Sequence, residues 1–254
     1  MSAIVAIALN TFREAIRDRI LYLILAFALV LISFSHFVSL LTVGSEVKIM
    51  KDLGLSAISV FGLLTAVFVG VSLVFKEIER RTIYTLLAQP VQRWQFVCGK
   101  FVGLSFVIGS LVVLTGAALL TAVALKGESP FGLLPAIALI LVELELIAAF
   151  AVLFSCFSNP ILAAVGTVSV YVVGHLSWSF DLLEKRVAGE WGKFLCRVLH
   201  AVLPNLDRLD VKASAVHGLA LPTGYFAAAV SYGFFYALLI VVLACLVFER
   251  REFV

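Results

Sequence analysis

Six apolar runs occupy most of the chain, at about 20–43, 53–75, 101–125, 131–157, 161–180 and 225–248. Each reaches the ~20 residues a helix needs to cross ~30 Å of hydrocarbon. Lipid offers no partners to backbone N–H and C=O groups, so runs of this length must be helices that satisfy those groups internally. The pattern therefore predicts an all-α membrane protein with six transmembrane helices in one transmembrane domain, 1–254.

Between the runs the polar positions carry the information. In residues 1–19, Val5, Leu9, Phe12 and Ile16 recur at helical spacing and continue to Ile20, while Asn10, Arg13, Glu14, Arg17 and Asp18 take the opposite face. This predicts an interfacial amphipathic helix lying along the headgroups, or alternatively an extension of the first span. The loop 181–224 has its own pattern: Trp191, Phe194, Leu195, Val198, Leu199, Val202 and Leu203 repeat at three and four until Pro204 and Asn205 stop them. A short helix over the outer ends of the spans is expected there.

Charge then sets orientation. With the N-terminus inside, the inner loops hold Arg13, Arg17, Arg19, Lys76, Arg80, Arg81, Arg93, Lys100, Arg250 and Arg251. The short outer loops hold only Lys48, Lys51 and Lys126, and the long loop 181–224 mixes both signs. Both termini are expected in the cytoplasm.

Composition agrees with the pattern. The 254 residues are 63% hydrophobic and 14% charged, against about half and a quarter for a soluble domain. A net charge of +3 does not suggest a nucleic-acid partner. Cys98, Cys156, Cys196 and Cys245 match no zinc or redox spacing and read as apolar fillers. The first span is too long for a signal-peptide core and is expected to stay in the membrane.

The segment 76–100, KEIERRTIYTLLAQPVQRWQFVCGK, is too long and too regular for a turn. Charges come first, at Lys76, Glu77, Glu79, Arg80 and Arg81. A short apolar helix around Ile83, Leu86 and Leu87 follows and is ended by Pro90. A second short helix, 91–100, is expected to lead into the third span. Aliphatic anchors rimmed by charge suit a groove in a soluble partner. The same charges also fit a purely topological role, snorkelling to the headgroups.

The order Glu77, Thr82-Ile83, Leu86-Leu87, Pro90-Val91, Arg93 and Gly99-Lys100 resembles the cytoplasmic loop of type-2 ABC exporter permeases. Phe154-Ser155 with Ser158-Asn159-Pro160, and the terminal Phe248-Glu249-Arg250-Arg251-Glu252-Phe253, are similar to the same family. The resemblance implies a coupling helix in 76–100 that docks on a separate ABC-type ATP-binding subunit. Glu77, Arg80, Arg81, Thr82, Leu86 and Leu87 would lie at the contact, and Pro90, Arg93, Gly99 and Lys100 would shape the loop. It further implies a homodimer of permeases in a bacterial cytoplasmic (inner) membrane, with ATP and Mg used by the partner. The outer loop could engage an extracytoplasmic accessory protein.

The chain has no G-x-x-x-x-G-K-[ST] phosphate loop, so it is not expected to bind ATP or to be an enzyme. No metal-ligand cluster stands out, and no cofactor is expected on this chain. Glu143 and Glu145 sit within the fourth span, where a carboxylate costs roughly 2.5–3.5 kcal/mol. Each should face a cavity, find a partner or take up a proton. At spacing two they diverge by about 200° around the helix. One is therefore expected to serve a translocation path or gate while the other packs structurally; no Lys or Arg is expected at their depth, which leaves His36 or His175 as partners. The alternative function is an ion- or proton-coupled secondary transporter using Glu143 or Glu145. Gly99 and Gly103 form a Gly-x-x-x-Gly pair that permits close helix approach.

Overall fold

A computed structural model describes residues 3–40, 46–79, 92–177, 191 and 203–250, with backbone alone at 39–40, 73–74 and 76–79. Among the described residues there is no strand, and the chain is an all-α membrane protein. Helix α1 spans Ala3–Ile16, α2 Arg19–Leu40, α3 Glu46–Glu79 and α4 Arg93–Leu125. After a 3₁₀ turn at Pro130–Leu133 come α5, Leu134–Phe157, and α6, Pro160–His175. The short α7, Lys212–His217, precedes the last helix, α8, Tyr225–Glu249.

Local chemistry sets the boundaries. Asp18 accepts the Ile20 N–H at 3.0 Å and starts α2 after the break that follows α1. Asn159 caps α6 by accepting the Leu162 N–H at 2.9 Å, and Pro160 takes the first helical position, where its missing N–H costs nothing. The Ser158-Asn159-Pro160 stretch is thus a stop and restart between antiparallel helices. Gly218 and Gly224, at φ 67° and 83°, close α7 and open α8 in the left-handed region that glycine tolerates.

Five helices among the described residues are long and apolar enough to cross a bilayer: α2, α3, α4, α5 with its leading turn, and α8. The fifth expected span is the shorter α6, whose 16 residues reach about 24 Å. Two expectations change. α3 and α4 run well beyond the apolar segments 53–75 and 101–125, because their polar ends continue the helix into water. The separate short helix expected at 91–100 does not exist as such: Arg93–Leu125 is one helix. Nothing between Lys100 and Phe101 breaks it, since glycine inside a packed helix needs no bend. The helix expected around Trp191 to Leu203 lies outside the described residues, apart from its two ends.

α5 forms the centre, packed against α3, α4, α6 and α8. About 61% of its span is buried, against 28% for α2 and α8, which present apolar faces to lipid. Leu104, Ile108, Leu111, Leu139, Ile140 and Leu144 fill the middle without a polar channel among them. Small residues set the spacing: a Cβ on Gly62 would meet Leu144 Cδ1 at 2.2 Å, and one on Gly233 would meet Val142 Cγ1 at 2.3 Å.

Candidate functional site

Three groups of residues carry the candidate chemistry, beginning with the junction where α4 starts. Of the expected docking residues, Glu77 lies on the last turn of α3. Arg80, Arg81, Thr82, Leu86, Leu87 and Pro90 lie outside the described residues, which resume at Gln92. There the Gln92 N–H donates to Gln95 Oε1 at 3.2 Å, and Trp94 Nε1 donates to Gln92 Oε1, so side chains satisfy the new helix end.

The first turns of α4 are tied to two other elements. Arg93 Nη1 donates to the Glu249 carbonyl at 3.0 Å, placing a cation on the unsatisfied C-terminus of α8. Phe96 stacks on Phe248 with centroids 5.6 Å apart, and Cys98 Sγ lies 3.8 Å from Cys245 Sγ. On the other side Gly99 and Gly103 receive α1. A Cβ on Gly103 would sit 2.6 Å from Thr11 Cβ and 2.8 Å from the Ala8 carbonyl. A Cβ on Gly99 would meet Ile7 Cβ at 2.8 Å.

α1 therefore packs with its small stripe Ala8, Thr11 and Ala15, leaving Val5 and Leu9 exposed. Lys100 is 2% exposed, with Nζ 3.8 Å from Glu14 Oε2 and 5.7 Å from the Phe96 ring centre. The start of α4 is thus tied to the first and last helices. Sequence reasoning flagged Gly99, Gly103 and Lys100 but not their partner, α1; the Ala8-Thr11-Ala15 stripe was the available signal.

The second group surrounds Glu143. Its side chain is wholly buried, and neither oxygen has a hydrogen bond among the described residues. His175 Nε2 lies 3.4 Å from Glu143 Oε1, within ion-pair distance but off hydrogen-bond geometry. The other ring nitrogen of His175 is 3.1 Å from the Tyr171 carbonyl. Of the two expected partners, His175 is the one met; the His36 ring packs edge-on to Phe37, on α2.

The outer segment from Leu203 to His217 folds inward, a feature the span pattern did not reveal. Leu206 and Leu209 are fully buried, and Leu206 lies so close to α6 that a Cβ on Gly174 would come within 2.6 Å of its Cγ. The Asn205 N–H donates to the Tyr232 hydroxyl oxygen at 2.9 Å, and the Tyr225 hydroxyl donates to the Arg208 carbonyl, also at 2.9 Å.

 The segment also brings the Asp210–Lys212 pair, 3.6 Å apart, into electrostatic range of Glu143. The span pattern did not supply this lysine: Lys212 is the first residue of α7.

The third group is on the opposite face of α5. Ser105 Oγ donates to Glu145 Oε2 at 2.5 Å, from α4. The two glutamates therefore address different neighbours, as their spacing required. Glu145 lines a cavity of about 440 Å³ between α4, α5 and α8. Among the described residues no group of three or more His, Cys, Asp or Glu could hold a metal.

Residues 5–253 match the family described as ABC-2 family transporter protein. No curated protein matches the chain.

Proposed function

The chain belongs to the ABC-2 family of transporter proteins, and on that footing we propose that it is the permease half of an ATP-driven exporter. As a member it is an integral membrane permease component of an ABC transporter, a class that associates with an ATP-binding subunit. The observation that carries the proposal is the family match across residues 5–253.

In this reading the region 76–100 is the coupling element on the cytoplasmic side. Glu77, Arg80, Arg81, Thr82, Leu86 and Leu87 meet the ATPase, which hydrolyses ATP with Mg. Both termini face the cytoplasm of a bacterium whose inner membrane holds the chain, in line with the Lys and Arg bias. Force entering at the loop passes into α4. Two ties support that route: the hydrogen bond from Arg93 to Glu249 and the packing of Gly99 and Gly103 on α1. The close-packed apolar centre favours a path along the surface of the bundle, completed by a second copy of the chain. The outer loop is the region available to an extracytoplasmic accessory protein.

The test is affinity purification of the chain from its native membrane. An ATP-binding polypeptide with a phosphate loop is expected to accompany it. Transport by vesicles holding this chain alone, without ATP, would overturn the reading.

A further inference from the structure

The cavity between α4, α5 and α8 is almost wholly apolar, and Glu145 with Ser105 supplies its polar spot. Phe101 and Val102 come from α4, Val142 from α5, and Phe234 and Leu238 from α8. Phe234 and Leu238 are 62% and 50% exposed on the bundle surface, so the cavity opens sideways into hydrocarbon. Its volume falls within the range of ~300–1,000 Å³ usual for small-molecule sites.

Position along the helices defines its shape. Ser105 is 12 residues beyond Arg93, and Glu145 is 12 before Phe157, which puts both about 18 Å from that end of the bundle. Cys98 marks the near end of the lining on α4, while Val142 and Val230 lie beyond Glu145, so the polar spot sits partway along walls that are apolar on both sides of it. Val230 to Val241 on α8 give the lining a length of about 16 Å.

The carboxyl has one donor, Ser105, and no Lys, Arg or His lines the cavity among the described residues. A carboxyl in hydrocarbon is stabilised by any further donor. A ligand that brings an amine on an apolar body supplies that donor and fills the walls. The geometry points to this cavity as a binding site for a hydrophobic amine entering from the lipid phase, its nitrogen on Glu145. Use of the site to load cargo rests on the permease reading; binding does not, and is measured without any ATPase.

The test places the full chain in phosphatidylcholine nanodiscs with diazirine-bearing dodecylamine or dodecanol, followed by mapping of the labelled peptides. Amine labelling of the α4, α5 and α8 peptides is expected to exceed alcohol labelling by about tenfold, the scale of one charge-assisted hydrogen bond. Unlabelled dodecylamine should compete and dodecanol should not, a comparison made on the wild-type chain. Glu145→Gln is expected to bring amine labelling down to the alcohol level, and Glu143→Gln to leave it unchanged. Ala237→Phe, which fills the cavity, should remove labelling while keeping the carboxyl. Equal labelling by amine and alcohol would mean that lipid tails alone fill the groove. No labelling of these peptides by either probe would mean that a second copy of the chain covers it. Either result, or an unaffected Glu145→Gln, overturns the proposal.

Discussion

Changing both Leu86 and Leu87 to Asp is expected to reduce recovery of the ATP-binding subunit with the chain by at least about a hundredfold. Burying one leucine contributes about 1.5–3 kcal/mol, and 1.4 kcal/mol is a tenfold change in binding. Losing two anchors therefore removes two decades or more, and two unpaired carboxylates in an apolar groove add a desolvation cost. Both positions lie between the apolar segments, so insertion and helix content should not change. Co-purification quantified against the wild-type chain checks this, with circular dichroism as the folding control. Full retention of the ATPase would show that docking does not use this loop.

The second large effect is expected at Gly103. Its missing Cβ leaves room for the Ala8 carbonyl at 2.8 Å and for Thr11, and a backbone carbonyl cannot rotate away as a side chain can. Gly103→Ala must push α1 off α4, at a cost of about 1–3 kcal/mol for overpacking. Gly99→Ala meets chiefly the Ile7 side chain, with the Ile4 carbonyl further off at 3.2 Å, and should cost less. Gly109→Ala has nothing within 4 Å and should cost nothing. Thermal unfolding of the purified chain should rank the three in that order. If α1 and α4 move as one body, Gly103→Ala should also weaken the response of the bound ATPase to the permease while leaving its binding intact. Equal stability of the three variants would contradict the close packing of α1.

The long spans were legible because hydrocarbon imposes one strong rule, and that rule needs no tertiary information. Their ends were less legible. Hydropathy falls off where α3 and α4 leave the lipid, but helix propensity does not, so the apolar limits at Leu53 and Phe101 understate helices that begin at Glu46 and Arg93. The divergence of Glu143 and Glu145 followed from helical geometry alone. Of their neighbours, His175 was one of two candidates, whereas Ser105 on α4 and Lys212 on α7 were not foreseen, because only the fold brings those elements together.

The same limit applies at the junction. Lys100 next to an apolar run reads as a snorkelling cation, yet it is buried between Glu14 and the Phe96 ring because glycines let α1 come close. Contacts between distant segments depend on which faces meet, and a single sequence carries that only weakly. The roles proposed for Glu77, Arg80, Arg81, Thr82, Leu86 and Leu87 stand on the family plan and on the anchored flanks.

The most direct measurement concerns the side of the membrane on which the proposed coupling region lies. A cysteine at Gln92, in a chain whose native cysteines are replaced by alanine, is to be treated with a membrane-impermeant maleimide on intact cells. A cysteine at Glu128, at the turn between α4 and α5, marks the opposite end of the bundle. Labelling at position 128 in intact cells, and at position 92 only after permeabilisation, is the predicted result. Labelling at position 92 from outside would place the lever beyond reach of any cytoplasmic ATPase and contradict the account.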